Sequence, residues 1–120
     1  MFNGDYFKIN NKLDMGYVYL IYDTGNNLYK IGVTRNNDNK RIKSLQAGNP
    51  TELRIIHLYE CEYPFRLETM LHNRYKNNNV LNEWFDMKDS DVIDFKNICD
   101  KLNNQIRVLK DNPFFAKNLR

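Results

Sequence analysis

The stretch Gly16–Arg41 constrains the fold of this chain more than any other segment. Its first part, Gly16–Tyr22, carries apolar or aromatic residues on both alternating faces, which predicts a strand inside a sheet. Residues 23–27 (DTGNN) have the chemistry of a turn, and Leu28–Thr34 alternates like a returning strand. The segment therefore predicts an antiparallel hairpin as the centre of the fold.

The expected register of this hairpin has a geometric consequence. A two-residue loop at Gly25 and Asn26 would pair Ile21 with Lys30 and Tyr19 with Gly32. Tyr19 and Lys30 would then share one face of the sheet, with Gly32 leaving space beside the tyrosine ring. A slip of one residue would send them to opposite faces.

Helices and short strands are predicted for the rest of the chain. In chain order they are a helix over 38–47, a strand over 53–59, a helix over 64–76, a short extended segment over 83–85, and a long helix that begins at Asp89 or Ser90 and ends before Pro113. This order predicts an α+β fold, with a small three-stranded, mostly antiparallel sheet flanked by helices and a long C-terminal helix.

Length and composition favour one intracellular domain. A chain of 120 residues has room for a single modest core. Its mean hydropathy is −0.72, and the sequence contains no apolar run of the roughly 18 residues that a membrane helix needs. The N-terminus lacks the pattern of a secretory signal. Cys61 and Cys99 have neither metal-binding nor redox spacing, which favours free thiols in a reducing compartment. We therefore expect a cytoplasmic or nuclear protein.

Positive charge is concentrated in two segments. Residues 30–43 and 101–120 each hold five bases and one acid, a net charge of +4, whereas residues 44–100 are net −4. Two basic patches around an acidic middle suit a phosphate-binding surface near a metal site. Ordinary solvated charge explains either patch equally well when it is taken alone.

Five residue types in this pattern can carry chemistry. Glu68 and His72 lie four apart on a predicted helix and therefore project from one face, where a carboxylate can bind Mg²⁺ or Mn²⁺. Arg41 can brace a phosphate with its planar guanidinium. Taken singly, such residues are more often surface contacts, Tyr19 is more often a core aromatic, and Lys30 is more often a solvated or phosphate-contacting lysine than a base.

Taken in order, these segments resemble the GIY-YIG nuclease superfamily. The resemblance covers about residues 16–87 and rests on YVYLIY, YKIGVT, Arg41, LETMLHNRY and EWF. It is closest to the phage, viral and fungal branch, the bacteriophage open-reading-frame and meiotically up-regulated gene domains. In that branch a KIG element followed by Val or Thr, an E-x-x-x-H helix and a late E-W-F are usual.

The motif positions carry over residue by residue. Tyr19 matches the tyrosine of the first motif, Ile31 and Gly32 the end of the second, Arg41 the helix arginine, Glu68 the metal-binding glutamate and His72 the histidine of the branch. Two positions depart from the superfamily pattern. Tyr17 stands at the name-giving glycine, and Lys30 stands at the second tyrosine, a change that the branch shares.

The resemblance implies hydrolysis of a DNA phosphodiester around one Mg²⁺ or Mn²⁺ ion. Glu68 would bind the metal, Arg41 would stabilise charge on the phosphate, and Tyr19 would hydrogen-bond or deprotonate the attacking water. Lys30 would orient that water or contact a phosphate oxygen, and His72 would assist the leaving oxygen or position Glu68. The expected substrate contacts are Gly32, Thr34, Arg35, Lys40 and Lys43.

The expected organisation is a leader over 1–14, the nuclease domain over 15–88, and a helix with a basic tail over 89–120 packed on the same domain. DNA is the expected partner, no membrane is expected, and a viral, phage or mobile-element origin fits the resemblance. One alternative is a non-catalytic nucleic-acid-binding module on the same fold. A second is an interaction module, in which the C-terminal helix seats a partner or forms a homodimer.

Overall fold

A computed structural model of the protein describes residues 15–36 and 40–112. The predicted leader, the predicted helix start at Asp38 and the basic tail after residue 112 lie outside the described residues. The elements are β1 Gly16–Asp23, β2 Leu28–Thr34, α1 Lys40–Ala47, β3 Leu53–Cys61, α2 Pro64–Arg74, a 3-10 turn Lys76–Asn78, β4 Asn79–Leu81, β5 Trp84–Phe85, α3 Asp89–Ile93 and α4 Phe95–Lys110.

The strands form one antiparallel sheet in the order β3-β1-β2-β5-β4. The α+β class is confirmed, but the prediction of three strands is wrong, because the sheet has five in the described part of the chain. The extra strands form a small hairpin that extends the sheet beyond β2. The short extended segment predicted over 83–85 contains β5, whereas β4, with three residues, is too short for an alternating pattern to stand out in the sequence.

The register of the central hairpin is confirmed. Tyr19 pairs with Gly32 and Ile21 with Lys30. The loop is longer than the two residues predicted, because the last pair is Asp23 with Leu28 and four residues connect them. Asp23 accepts hydrogen bonds from the loop, and Asn27 adopts a φ of 56°, a conformation that asparagine tolerates better than most residues.

The two faces of the sheet are covered unequally. One face packs on α2 and α4 and contains most of the core, including Val18, Leu20, Ile31, Phe95 and Ile106. On the other face Tyr19, Ile21 and Leu53 form a smaller cluster beneath Ile42 and Leu45 of α1, with Trp84 at its border. Tyr19, Lys30 and Gly32 therefore lie on the thinly covered face, called below the α1 face.

The helix predicted from residue 89 onward is divided in two. The chain bends at Asp94, whose ψ of −2° ends α3, and α4 continues as a separate helix of 16 residues. The apolar spacing still directs Phe95, Ile98, Leu102 and Ile106 into the core. Within the described residues, the helices are too short or too polar for any of them to cross a membrane.

Candidate active site at the open edge of β2

The site lies where β2 loses its strand partner. β5 pairs with β2 only at Tyr29 and Lys30, and the carbonyl of Glu83 accepts the N–H of Ile31 at 3.1 Å. In the described part of the chain no strand pairs with this side of β2 beyond that point. The carbonyl of Ile31 is instead 2.9 Å from Nε2 of His72 on α2. A helix side chain thus completes the hydrogen bonding of the sheet edge.

This contact fixes the state and position of His72. Because a carbonyl only accepts, Nε2 of His72 must carry the hydrogen. The ring packs edge-on against Phe85, with centroids 5.0 Å apart. Glu68 lies one turn earlier on α2, with Oε2 4.0 Å from Nε2 of His72, which is too long for a hydrogen bond. His72 is therefore anchored to the sheet and lies beside Glu68.

Glu68 is a carboxylate in a partly desolvated environment. Its side chain is 20% exposed. Burial raises the pKa of Glu68, the nearby carboxylate of Glu83 raises it further, and His72 and Lys30 act in the opposite direction. Two neighbouring carboxylates in such a place are stabilised by a cation between or beside them.

Glu83 is a site residue that was not predicted. Its carboxylate Oε1 lies 3.2 Å from Nζ of Lys30, and it also acts electrostatically on Glu68 and Tyr19. The available signal was the E-W-F motif, in which Glu83 precedes the residue that pairs with Lys30. Without the β2–β5 pairing, nothing in the sequence connects Glu83 with Glu68.

Lys30 is held on two sides. Its side chain is 12% exposed, forms the ion pair with Glu83, and places Nζ 5.5 Å from the centroid of the Trp84 ring. Such a cation–π contact is favourable when the ammonium is partly desolvated. The ammonium is therefore oriented beside the carboxylates, where it lowers the pKa of Glu68.

Tyr19 carries the most unusual polar group of the site. Its side chain is fully buried, and its hydroxyl makes no hydrogen bond of standard geometry with the described residues, although the Arg41 guanidinium acts on its oxygen as a donor. Burial raises the pKa of the phenol, the nearby Arg41 lowers it in part, and Glu83 and Glu68 raise it. A Cβ at Gly32 would overlap the hydroxyl and Cζ of Tyr19, so the ring fits across β2 only because residue 32 is glycine.

Arg41 approaches Tyr19 from α1. The helix is attached to the sheet by the packing of Ile42 and Leu45 and by Gln46. The side chain of Gln46 donates to the carbonyl of Thr51 at 2.9 Å and accepts the N–H of Leu53 at 2.7 Å. Arg41 is itself exposed, which leaves its guanidinium accessible to a substrate.

The expected substrate contacts are more dispersed. Thr34 is buried, and its hydroxyl donates to the carbonyl of Asn36 at 3.2 Å, so that it supports the turn after β2. The guanidinium of Arg35 lies 5.2 Å from the ring centroid of Phe65, at the start of α2. Lys40 and Lys43 are exposed on α1, and Gly32 is buried under the Tyr19 ring.

The metal-binding capacity of the site is small. Among the described residues, no group of three or more His, Cys, Asp and Glu side chains is arranged to hold a metal ion. Mg²⁺ does not require such a cage, because it is commonly held by one or two carboxylates, with water and substrate phosphate completing the octahedron. Glu68, with Glu83 beside it, fits that mode of binding.

The fold and the site together define a GIY-YIG-like domain of the kind found in phage open reading frames. The model of the T5orf172 domain family matches residues 16–100, and the chain belongs to this family. The match spans every site residue from Tyr19 to Glu83, and the family suggests a nuclease-like or DNA-binding module. No curated protein and no solved structure matches the chain.

Proposed function

We propose that this protein is an endonuclease that hydrolyses DNA phosphodiester bonds with one divalent metal ion. The observation that carries the proposal is the buried hydroxyl of Tyr19, whose hydrogen has no acceptor among the described residues and which lies near Arg41, Glu68 and Glu83. A buried donor without a partner costs about 1–3 kcal/mol, so it is uncommon unless a ligand or water completes it. A phosphate oxygen or an attacking water is a suitable partner.

Glu68 would hold the ion, with Glu83 contributing negative charge from the sheet edge. A bound Mg²⁺ or Mn²⁺ supplies polarisation of the phosphate and a lowered pKa of bound water. The choice of Glu68 is supported by its partly desolvated carboxylate, whose pKa is raised by burial and by Glu83 more than it is lowered by His72 and Lys30.

The hydrolysis forms a bond between a water oxygen and phosphorus and breaks the bond from phosphorus to the leaving ester oxygen. The water loses one proton, and the leaving oxygen gains one. Because burial raises the pKa of Tyr19, its phenol stays protonated at neutral pH and acts as a hydrogen-bond donor rather than as a base. It would orient the attacking water or a phosphate oxygen.

The cationic side chains would stabilise the negative charge that builds on the phosphate. Arg41 is exposed and can offer two parallel N–H donors to phosphate oxygens. Lys30 is already paired with Glu83, so its contribution is a fixed positive charge near the carboxylates. His72 would act as a positioning residue, because its Nε2 hydrogen is donated to Ile31 and α2 is thereby fixed against the sheet.

One alternative function has support of its own. A non-catalytic nucleic-acid-binding module would keep the fold and the basic residues but hydrolyse nothing. The ion pair of Lys30 with Glu83 favours this alternative, because it engages the lysine that stands at the second tyrosine of the superfamily. It predicts salt-dependent DNA binding with no cleavage in any metal.

Nicking of supercoiled plasmid in Mg²⁺ or Mn²⁺ tests the proposal. Glu68→Gln keeps the shape of the side chain but removes the charge that would hold the ion, and we expect at least a hundredfold loss of rate. Glu52→Gln is the matched control, because the side chain of Glu52 is exposed and, among the described residues, forms an ion pair with Arg54. Equal rates for wild type and Glu68→Gln contradict the assignment. Binding without nicking by the wild type supports the alternative.

A further inference from the structure

A second concave feature lies beside the site on the same face of the sheet. It is a cavity of about 210 Å³ between the β1–β2 loop, the end of α1 and the β4–β5 hairpin. Pockets for drug-sized ligands are usually about 300–1,000 Å³, so this one suits a single ring system better than a whole cofactor. It shares one residue with the site, because Trp84, which contacts Lys30, also lines the cavity.

The position of the cavity is fixed by the register of the sheet. Leu28, which lines it, lies two residues before Lys30 on β2 and therefore on the same face, about 7 Å further along the strand. Trp84, which also lines it, pairs directly with Lys30. The cavity therefore lies beside Lys30, close enough for a base next to a phosphate bound there to reach it.

The walls combine apolar and polar surface. Leu28, Val80, Leu81 and Trp84 supply the apolar part, and Val80 and Leu81 are 55% and 64% exposed. The exposure of these aliphatic side chains and of the neighbouring indole to water costs free energy. Binding of a flat ring against them would bury this apolar surface and recover that free energy. Aromatic side chains with this surrounding are the usual contacts of unstacked bases in single-strand binding proteins.

Two asparagines with amide groups, Asn26 and Asn49, line this space. The amide nitrogen of Asn26 donates to Asp23, and that of Asn49 donates to the carbonyl and the hydroxyl of Thr51. The carboxylate and the carbonyl can only accept, so each amide group must be oriented with its nitrogen toward them. The amide oxygens of Asn26 and Asn49, both in the lining, accept no hydrogen bond from the described residues. Amino groups of bases are suitable donors for them.

We propose that this cavity receives an unstacked nucleobase of the strand whose phosphate is bound beside Lys30 and Arg41. This inference rests on the proposed function and deepens it, because the substrate would then be single-stranded or locally opened nucleic acid. An extended strand would place its backbone on the cationic groups and one adjacent base against Trp84, between the hairpin and the β1–β2 loop.

The single tryptophan of the chain provides a direct readout. The wild-type protein is titrated in EDTA, which prevents hydrolysis, with a single-stranded oligonucleotide of about eight residues and with an abasic oligonucleotide of equal length and charge. We expect quenching of Trp84 fluorescence and at least about fivefold tighter binding with the base-containing strand. Equal affinity for the two strands, without base-dependent quenching, overturns the inference while leaving the proposed function intact.

A matched pair of variants locates the effect. Val80→Ser removes apolar surface from the cavity, and Val108→Ser makes the same change at an exposed position of α4. We expect the preference for the base-containing strand to fall severalfold in Val80→Ser and to stay unchanged in Val108→Ser. A preference that both variants retain would place base recognition elsewhere and overturn the inference. If neither strand binds to the wild type, the inference is overturned, and plasmid nicking decides the proposed function separately.

Discussion

Two tyrosines on opposite faces of the sheet differ in how their hydroxyls are satisfied. On the face covered by α2 and α4, the hydroxyl of Tyr59 donates to Asp100 on α4 at 2.6 Å. On the α1 face, the hydroxyl of Tyr19 is buried and its hydrogen has no acceptor among the described residues. Burial raises the pKa of both phenols, but at Tyr59 the bond to Asp100 raises it as well, whereas at Tyr19 Arg41 lowers it in part.

We interpret Tyr59 as a structural tyrosine and Tyr19 as a tyrosine whose hydroxyl is available to a ligand. The Tyr59–Asp100 hydrogen bond joins β3 to α4 and therefore contributes to the stability of the fold. The hydroxyl of Tyr19 costs free energy in the isolated protein, since its hydrogen has no acceptor among the described residues to offset its desolvation. Phenylalanine would fill the same space without the buried hydroxyl. A hydroxyl that is kept at this position although it lowers stability indicates a functional role.

The largest effect expected from the contrast concerns Arg41, the cation nearest to Tyr19. Arg41→Ala removes charge stabilisation from the attacked phosphate, and we expect the nicking rate to fall by about a hundredfold with little change in stability. Lys43→Ala, an exposed residue of the same helix, is the control and should lower the rate only slightly. Similar losses in both variants would mean that α1 acts through general positive charge instead of through the site.

Asp23 sharpens the comparison because it lies on the α1 face and is fully satisfied. Burial acts to raise the pKa of Asp23, but hydrogen bonds from Thr51, Asn26 and the backbone of Gly25 and Asn26 outweigh it and hold the pKa at about 2. The α1 face therefore satisfies buried polar groups away from the site. The lack of an acceptor for the Tyr19 hydroxyl is therefore particular to the candidate site, because Asp23 on the same face of the sheet is fully hydrogen-bonded.

This hydrogen bonding predicts acid sensitivity. The pKa of Asp23 is lower in the folded than in the unfolded chain, so its contribution is present above about pH 4 and is lost as the pH falls toward 2. We expect a loss of up to about 2 kcal/mol in the free energy of unfolding. Asp23→Asn should be less stable than wild type at neutral pH, and the two curves should converge near pH 2. Parallel curves over this range would contradict the prediction.

A smaller effect is expected at Tyr59. Tyr59→Phe removes the hydrogen bond to Asp100, which is still paired with Lys96 at 3.0 Å and remains half exposed. The free energy of unfolding should therefore fall by only about 1 kcal/mol, measured by urea denaturation, and plasmid nicking should be unchanged. A large loss of nicking would show that the α4 face takes part in the chemistry.

The sequence was sufficient for the centre of the fold. The hairpin register followed from period-two patterning and turn residues, which act locally, and it brought Tyr19, Lys30 and Gly32 together as predicted. The four-residue loop was missed because it depends on hydrogen bonds from Gly25 and Asn26 to the Asp23 side chain. Such side-chain competition with the backbone is not visible in residue type alone.

Long-range pairing explains the other misses. Glu83 and the strands β4 and β5 depend on where a short hairpin attaches to β2, which the sequence pattern does not specify. The anchoring of His72 to Ile31 arises only because β5 ends early and leaves that carbonyl open. The roles assigned to Glu68, Arg41 and the basic residues remain predictions, since they concern a substrate and a metal.

The most direct test of the account is Tyr19→Phe, measured for both nicking and stability. Phenylalanine keeps the ring over Gly32 and removes only the buried hydroxyl. We predict that nicking falls by about a hundredfold while the free energy of unfolding stays equal or rises by about 1 kcal/mol. A variant that is destabilised and still nicks DNA at the wild-type rate would contradict the account, because the hydroxyl would then serve the fold and not the reaction.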